Sequence, residues 1–340
     1  MYILGIESSC DETSVALVEN GTKEIYMSLA SSQDLHERTG GVVPEVAARK
    51  QVEFMLPVLH ECLTKAEEHT GLSRTALIKH ISHIAVTKGP GLIGSLVVGV
   101  EAAKALSVAW HKPVIPVNHL IGHLYANFLV HDGIEFPAVG MVVSGGHTDL
   151  ILIKAHGDYT FLGGTLDDAC GEAFDKTSRT LGLSSYKLGG PLLSKKALEF
   201  TGDYIPVLPR PMIDSPNFDF SFSGLKTAVK YLHNKQTHSV AFIAYDFQQA
   251  VIDVLIKKAK QAVLKTNAKS ILLGGGVLAN TSLRMALDTT FNETAVSIYY
   301  PPIRLCGDNA AYIASAGFFN PLEVALDKLS PNPALTIVQS

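Results

Sequence analysis

The strongest constraint on this chain is a motif that occurs twice. Tyr2-Ile-Leu-Gly-Ile6 enters the polar stretch Glu7-Ser-Ser-Cys-Asp-Glu-Thr13, and Ser14-Val-Ala-Leu-Val18 leaves it. Later, Met141-Val-Val143 enters Ser144-Gly-Gly-His-Thr148, and Asp149-Leu-Ile-Leu-Ile153 leaves that turn. β-Branched residues favour the strands on both sides, and the turn residues favour reversal, so each copy reads as a β-hairpin. A spacing of roughly 135 residues is too long for a solenoid repeat and suits two copies of one domain.

The elements after each hairpin repeat as well. Glu24–Ala30 offers a third strand, Gly40-Gly-Val-Val-Pro-Glu45 opens a helical pattern to about His69, and Pro57 is expected to kink or divide it. Strand patterns at His83–Gly89 and Val114–Val117 alternate with helical ones at Leu92–Trp110 and from Asn118 to Val130. In the second half, Thr160–Leu162 comes after the hairpin. Helical patterns come next at Asp167–Leu181, Pro191–Phe200, Ser223–His233 and Val240–Thr266. Strands at Ser270–Gly274 and Val296–Tyr299 and a helix at Asp308–Phe318 complete it; Asp203–Asp219, rich in proline, reads as irregular. A three-strand meander and then strand–helix alternation is the ribonuclease-H-like pattern. Two such lobes make an α/β protein with a central nucleotide cleft. We place the N-terminal lobe at 1–136 and the C-terminal lobe at 137–307, with the helix at about 308–320 packing back on the first.

The chain has 340 residues, so about 150 per domain also argues for two domains. Hydrophobic residues make up 47% and charged residues 18%, enough for a large core and against disorder. A formal net charge of −4 supplies no bulk attraction to nucleic acid or to acidic membranes. Cys10, Cys62, Cys170 and Cys306 form no Cys-x-x-Cys and suit a reducing cytoplasm. The chain starts directly on a strand pattern, so no signal peptide is expected, and Leu92–Trp110, carrying Glu101 and Lys104, reads as a core helix rather than a membrane span.

Several groups suggest chemistry. Asp11 and Glu12 sit at the tip of the first hairpin, where an acid pair can orient a nucleophile, accept a proton or position a metal-bound phosphate. His119 and His123 are four apart on one helix face, a spacing that suits a transition metal, and Asp308 is a candidate third ligand. Leu120 stands where a zinc protease needs its glutamate base. The Ser-Gly-Gly turn is a candidate anion cradle, and Gly274-Gly-Gly-Val-Leu-Ala-Asn280 comes after a buried strand as a nucleotide-binding turn would. Asp167, Asp168, Glu172 and Asp175 load the start of one predicted helix with acid, only part of which dipole complementarity explains. The basic groups Lys195-Lys196, Lys226/Lys230 and Lys257/Lys258/Lys260 read as solvated helix faces.

Taken in order, the motifs resemble the bacterial TsaD family, the tRNA threonylcarbamoyladenosine biosynthesis transferases. They are Gly5–Thr13, Gly40–Glu45, Gly89–Leu92, His119–His123, Val143–Thr148, Asp167–Lys176, Asp219–Thr227, Gly274–Asn280 and Cys306-Gly-Asp-Asn309. The resemblance implies the actin/sugar-kinase/Hsp70 architecture. It also implies transfer of a threonylcarbamoyl group from threonylcarbamoyl-adenylate to N6 of the adenosine just 3′ of the anticodon, with release of AMP. It further implies one divalent metal on His119, His123 and Asp308, iron(II) first, with zinc or magnesium as alternatives. Val142, Val143, Ser144, Gly145 and Gly146 are expected to hold the phosphate or acyl end of the adenylate. Asp175, Gly190 and Asn280 are expected to hold its ribose and base; ATP is expected to fit the same site. Asp11 or Glu12 is the expected catalytic group. The implied partners are tRNA, a TsaB-type paralogue and a TsaE-type ATPase, or a second copy in their absence, in the cytoplasm and without a membrane. The chain departs from the family at Ser194, where many relatives carry an acid, at Gly307, and in the tail after Asn320. A kinase or ATPase of the same fold is the main alternative, and the older family naming as a metalloprotease is another.

Overall fold

The computed structural model describes residues 1–32, 43–184 and 189–339. The opening Gly40-Gly-Val of the first helical motif therefore lies outside the described residues. The chain divides into two compact units: Met1–Ile134 with Pro301–Ser340, and Glu135–Tyr300.

The first unit is built on β1 (Tyr2–Glu7), β2 (Glu12–Glu19), β3 (Lys23–Ser31), β4 (Ile81–Gly89) and β5 (Val114–Asn118), in the order β3-β2-β1-β4-β5. β1 pairs antiparallel with β2 and parallel with β4. The second unit repeats this order with β6 (Ala138–Val143), β7 (Thr148–Ala155), β8 (Asp158–Gly164), β9 (Ser270–Gly274) and β10 (Ser297–Tyr299), as β8-β7-β6-β9-β10. Strand for strand, the two sheets correspond, as the duplicated motif requires. The central strands carry continuous apolar runs because both of their faces are covered.

In the first unit, β1 shows how the faces are divided. Leu4 and Ile6 join a core with Met55, Val58, Leu59, Cys62 and Leu63 of helix α1 (Pro44–Thr70) and with Val100 and Ala103 of α3 (Ile93–Trp110). Burial of each leucine, isoleucine, valine or methionine among them contributes roughly 1.5–3 kcal/mol. Pro57 does not divide α1, which stays helical from the Pro44 end to Thr70, where Gly71 ends it with φ +69°. Apolar anchors on both sides of the proline, Met55 before it and Val58, Leu59, Cys62 and Leu63 after it, hold the two segments to one sheet. Helix α3 is long and apolar enough to cross a membrane by length and composition, but it packs Leu96, Val100 and Ala103 into the protein interior. Between these two helices lies the short α2 (Arg74–His80).

The opposite face of β1 is Gly5. A Cβ there would lie 2.1 Å from the carbonyl oxygen of Ala310, so only glycine lets the terminal helix (Ala310–Phe319) approach the sheet this closely. Ala310 N donates to Ser14 Oγ (3.1 Å) and Ser315 Oγ donates to Gly21 O (2.7 Å), which fixes that helix against β2 and the turn after it. Ala310–Gly317 is buried throughout.

In the second unit, the acid-loaded helix runs Cys170–Thr180, later than its sequence pattern suggests. Asp167 and Asp168 precede it and are not dipole partners. Asp167 accepts from the Phe222 and Ser223 amides and from the Ser221 and Ser223 hydroxyls. These bonds outweigh burial and hold its carboxyl down at about 2. Asp168 pairs with Lys176 (2.6 Å) and Lys226 (2.9 Å). Lys258 also departs from the expected solvated face. It is fully buried on helix Val240–Thr266, and its ammonium donates to Ser215 O, Ser215 Oγ and Asn217 O. With Arg210 paired to Asp246 and Asp253, it fastens the irregular, proline-rich segment.

Candidate functional site

The first site lies in the first unit. Asn118 caps helix His119–Tyr125 through a bond from Leu120 N to its Oδ1 (3.0 Å), so His119 and His123 fall on one buried face one turn apart. Asp308 arrives from just before the terminal helix, whose cap is Asn309. Its Oδ1 lies 3.7 Å from His119 Nε2 and 3.5 Å from His123 Nε2. The three ligand atoms all lie within 4.8 Å of one another, so two imidazoles and one carboxylate converge as a single metal ion requires. Tyr312, one turn beyond Asp308, packs its ring 4.9 Å from the ring of His123.

Burial would depress the His119 imidazole, but the carboxylates of Glu7 and Asp308 outweigh it and hold the group up at about 9. Burial pushes Glu7 up, yet the charge of His119 and bonds from His119, Thr87 and the Ser9 amide win, and its carboxyl sits below the usual range. Both histidines and Glu7 are buried, while Asp308 keeps part of its surface open to solvent.

The turn carrying Asp11 and Glu12 is tightly braced. Gln51, fully buried on the long helix, donates through Nε2 to the carbonyls of Ser8 (3.2 Å), Cys10 (2.8 Å) and Glu12 (3.1 Å). Ser95 Oγ donates to Cys10 O, and Leu92 N donates to Ser9 O. Asp11 is 2% exposed, accepts from the Cys10 thiol, and its carbonyl accepts from Ser32. Glu12, half-buried, lies near enough to His119 to help raise its imidazole.

The second site lies in the second unit. A cavity of about 490 Å³ is lined by Gly145, Asp175, Gly190, Ser194, Lys195 and Asn280, among others. That volume suits a small-molecule ligand. Asp175 accepts from Gly190 N (3.0 Å), which ties two of the expected contacts together. Asn280 is the cap of helix Thr281–Phe291, accepting from Leu283 N, while its Nδ2 donates to Ser194 Oγ (2.9 Å) and Gln248 Oε1 (2.8 Å). Ser144 closes the hairpin, its amide donating to His147 O and its hydroxyl accepting from His147 N. Val142 and Val143 bury their side chains in β6. Gly145 and Gly146 do not have a left-handed φ, and a Cβ on either would meet open space. The turn itself therefore needs no glycine.

Thus His119, His123 and Asp308 come together in one unit, near Glu12. Gly145, Asp175, Gly190 and Asn280 share a cavity in the other. Sequence reasoning missed Glu7, Thr87 and Gln51, which support the first site, and Gln248 beside the second. Glu7 stands inside the first motif, but a polar residue at the end of a strand carries no mark of what it will face.

A family model described as "TsaD: tRNA N6-adenosine threonylcarbamoyltransferase" matches residues 24–315. The chain belongs to the TsaD family. A Bacillus subtilis protein named tRNA N6-adenosine threonylcarbamoyltransferase is 48% identical over 323 residues, covering 93% of this chain and 90% of the relative. One from Dehalococcoides mccartyi with the same name is 47% identical over 340 residues, covering 99% of each. Among solved structures, T. kodakarensis HypF matches with a TM-score of 0.66 at 13% identity, over 94% of this chain and 47% of that one. The Acidaminococcus fermentans (R)-2-hydroxyglutaryl-CoA dehydratase component A matches with a TM-score of 0.56 at 14% identity, over 94% and 98%. These two likenesses speak for the fold alone, which is α/β with two five-stranded sheets of corresponding strand order.

Proposed function

We propose that this chain transfers the threonylcarbamoyl group from L-threonylcarbamoyl-adenylate to N6 of the adenosine just 3′ of the anticodon, in tRNAs reading codons that begin with A, releasing AMP. The observation that carries this reading is identity of 47–48% over nearly the full length of relatives bearing that enzymatic name. N6 attacks the carbamoyl carbon; the new C–N bond forms as the C–O bond to phosphate breaks, and AMP leaves with the electron pair. An exocyclic aromatic amine is a weak nucleophile, so it must be oriented and must lose its proton. Asp11 or Glu12 takes that proton or fixes the amine, from a turn held rigid by Gln51.

The adenylate occupies the cavity of the second unit. Asp175 and the Gly190 backbone take the ribose, and Asn280 and Ser194 line the base end; Gly145, which lines the same cavity, brings the Val142–Gly146 stretch to the phosphate or acyl end. Open space over Gly145 and Gly146 supports this, because a side chain there would stand between backbone donors and an anion. Where relatives carry an acid, Ser194 offers a hydroxyl already accepting from Asn280, so Asp175 is left as the cavity's carboxylate for ribose.

One divalent ion, iron(II) in our reading, would be held by His119, His123 and Asp308 and would supply Lewis-acid polarisation of a carbonyl or phosphoryl oxygen. Two imidazoles and one carboxylate form the donor set that suits non-haem iron(II), with zinc the nearest alternative; oxygen-preferring magnesium fits it less well. The protein works in the cytoplasm with a TsaB-type paralogue and a TsaE-type ATPase, pairing with itself in their absence. The net charge of −4 supports a partner's help in capturing tRNA.

The test supplies threonylcarbamoyl-adenylate, unmodified tRNA and a TsaB-type partner, and looks for the modified nucleoside by mass spectrometry. Product dependent on this chain is expected; none would overturn the reading. Rapid ATP turnover by the isolated chain, indifferent to tRNA, would favour the kinase or ATPase alternative.

A further inference from the structure

Glu7 is a carboxylate with no exposed surface at the end of β1, and it lies outside the set of groups that face a ligand. Both of its oxygens are committed. Oε1 accepts from the Ser9 amide (2.6 Å). Oε2 accepts from Thr87 Oγ1 (2.7 Å) and lies 3.0 Å from His119 Nδ1. Burying an ionised carboxylate costs several kcal/mol unless hydrogen bonds compensate it, so an arrangement this complete on one side chain calls for a reason.

The geometry points to Glu7 as the positioning residue of the metal site: through the chain Thr87–Glu7–His119 it sets the tautomer and the ring orientation of His119. The Thr87 hydroxyl donates to Oε2, and the Ser9 amide donates to Oε1, so the carboxylate can serve His119 only as an acceptor. The proton of the neutral imidazole then resides on Nδ1, and the lone pair on Nε2 is directed at Asp308 and His123. Ser9 Oγ (3.3 Å) and Tyr312 Oη (3.5 Å) also approach Nδ1, but at longer range and without charge. A carboxylate behind a ligating imidazole raises its basicity and restricts its rotation, and removing such a partner weakens metal binding by roughly 10- to 100-fold. The arrangement is built into the sheet: Glu7 is on β1 and Thr87 on the neighbouring β4, so the acceptor is held by two adjacent strands rather than by a loop.

This inference rests on the reading of His119, His123 and Asp308 as a metal site, and the test separates the two. Zinc affinity of the full chain would be measured by competition with a chromogenic chelator, for the parent, Glu7→Gln, Glu7→Asp and Thr87→Val. The Nδ1–H bond of His119 would be read from its proton shift, in nitrogen-15-labelled, zinc-loaded protein. Glu7→Gln is expected to lose roughly 10- to 100-fold in affinity and to move the Nδ1–H proton of His119 upfield, because a neutral acceptor replaces the carboxylate. Glu7→Asp should recover part of that loss, and Thr87→Val should lose less than Glu7→Gln. If Glu7→Gln fails to fold, Thr87→Val, which keeps the carboxylate, still reads the same chain of bonds. A parent that binds no zinc overturns the metal site itself. A parent that binds it, with variants of equal affinity and an unchanged His119 Nδ1–H shift, overturns the role of Glu7 alone.

Discussion

The two hairpin turns share one motif and one position in corresponding sheets, yet they have opposite characters. Ser8–Asp11 is largely buried and cross-braced by Gln51, Ser95 and Leu92. Ser144–His147 closes on itself through two bonds, and its glycines face open space. One topology can therefore carry a cross-braced turn on one copy and an open loop on the other. The difference lies in what each neighbouring helix sends in: the first unit sends the Gln51 side chain to three turn carbonyls, the second the Gly171 amide to Ser144 O (3.1 Å).

The comparison can be tested by substitutions on each side. The largest effect is expected for His119→Ala combined with His123→Ala, which should reduce bound metal, measured by elemental mass spectrometry, from stoichiometric to none. Retained stoichiometric metal would put the site elsewhere. Next comes Gln51→Ala, which takes one shared donor from three turn carbonyls. It should cost about 1–3 kcal/mol in a denaturant titration; no change would mean the braced turn is no stiffer than the open one.

Acidity should also separate the units. In the metal-free protein His119 is held up at about 9, above its ordinary 6.5. The folded state therefore binds that proton more tightly. The stabilisation is fully present below 6.5 and is lost as pH rises through about 9. Asp149 in the second unit is pushed up to about 6 by burial, from an ordinary 3.8. Here the folded state again binds the proton more tightly, so stability falls as pH rises from about 4 to 6. Melting temperatures across pH should show both slopes, with His119→Gln flattening the upper and Asp149→Asn the lower. The smallest effect on folding is expected for Gly145→Ala, within about 0.5 kcal/mol. Its consequence should appear in KM for the adenylate, and an unchanged KM would remove the loop from the binding site.

Much of this molecule was legible in local pattern. Alternating and continuous apolar runs located the strands, and helix Val240–Thr266 begins and ends where its periodicity does. The i,i+4 spacing of His119 and His123 predicted a shared face because helical geometry alone fixes it. Boundaries failed where a side chain outbid the pattern. Asp167 looked like a helix-start acid, but donors from the Ser221–Ser223 segment took it. Lys258 looked like a surface cation because charge patterning carries no information about a carbonyl cluster far away in the chain.

By itself, then, the sequence determined the duplication, the order of strands and helices, and the pair of histidines, all properties of periodicity within a few turns of chain. Only tertiary structure decided that Asp308 meets those histidines, that Glu7 stands behind one of them, and that Gln51 stiffens one turn while its counterpart stays open. Those contacts join residues separated by tens to hundreds of positions, and they exist because sheet order and close packing at Gly5 bring the terminal helix and β1 together. Spacing along the chain cannot encode that meeting; the packed sheet can.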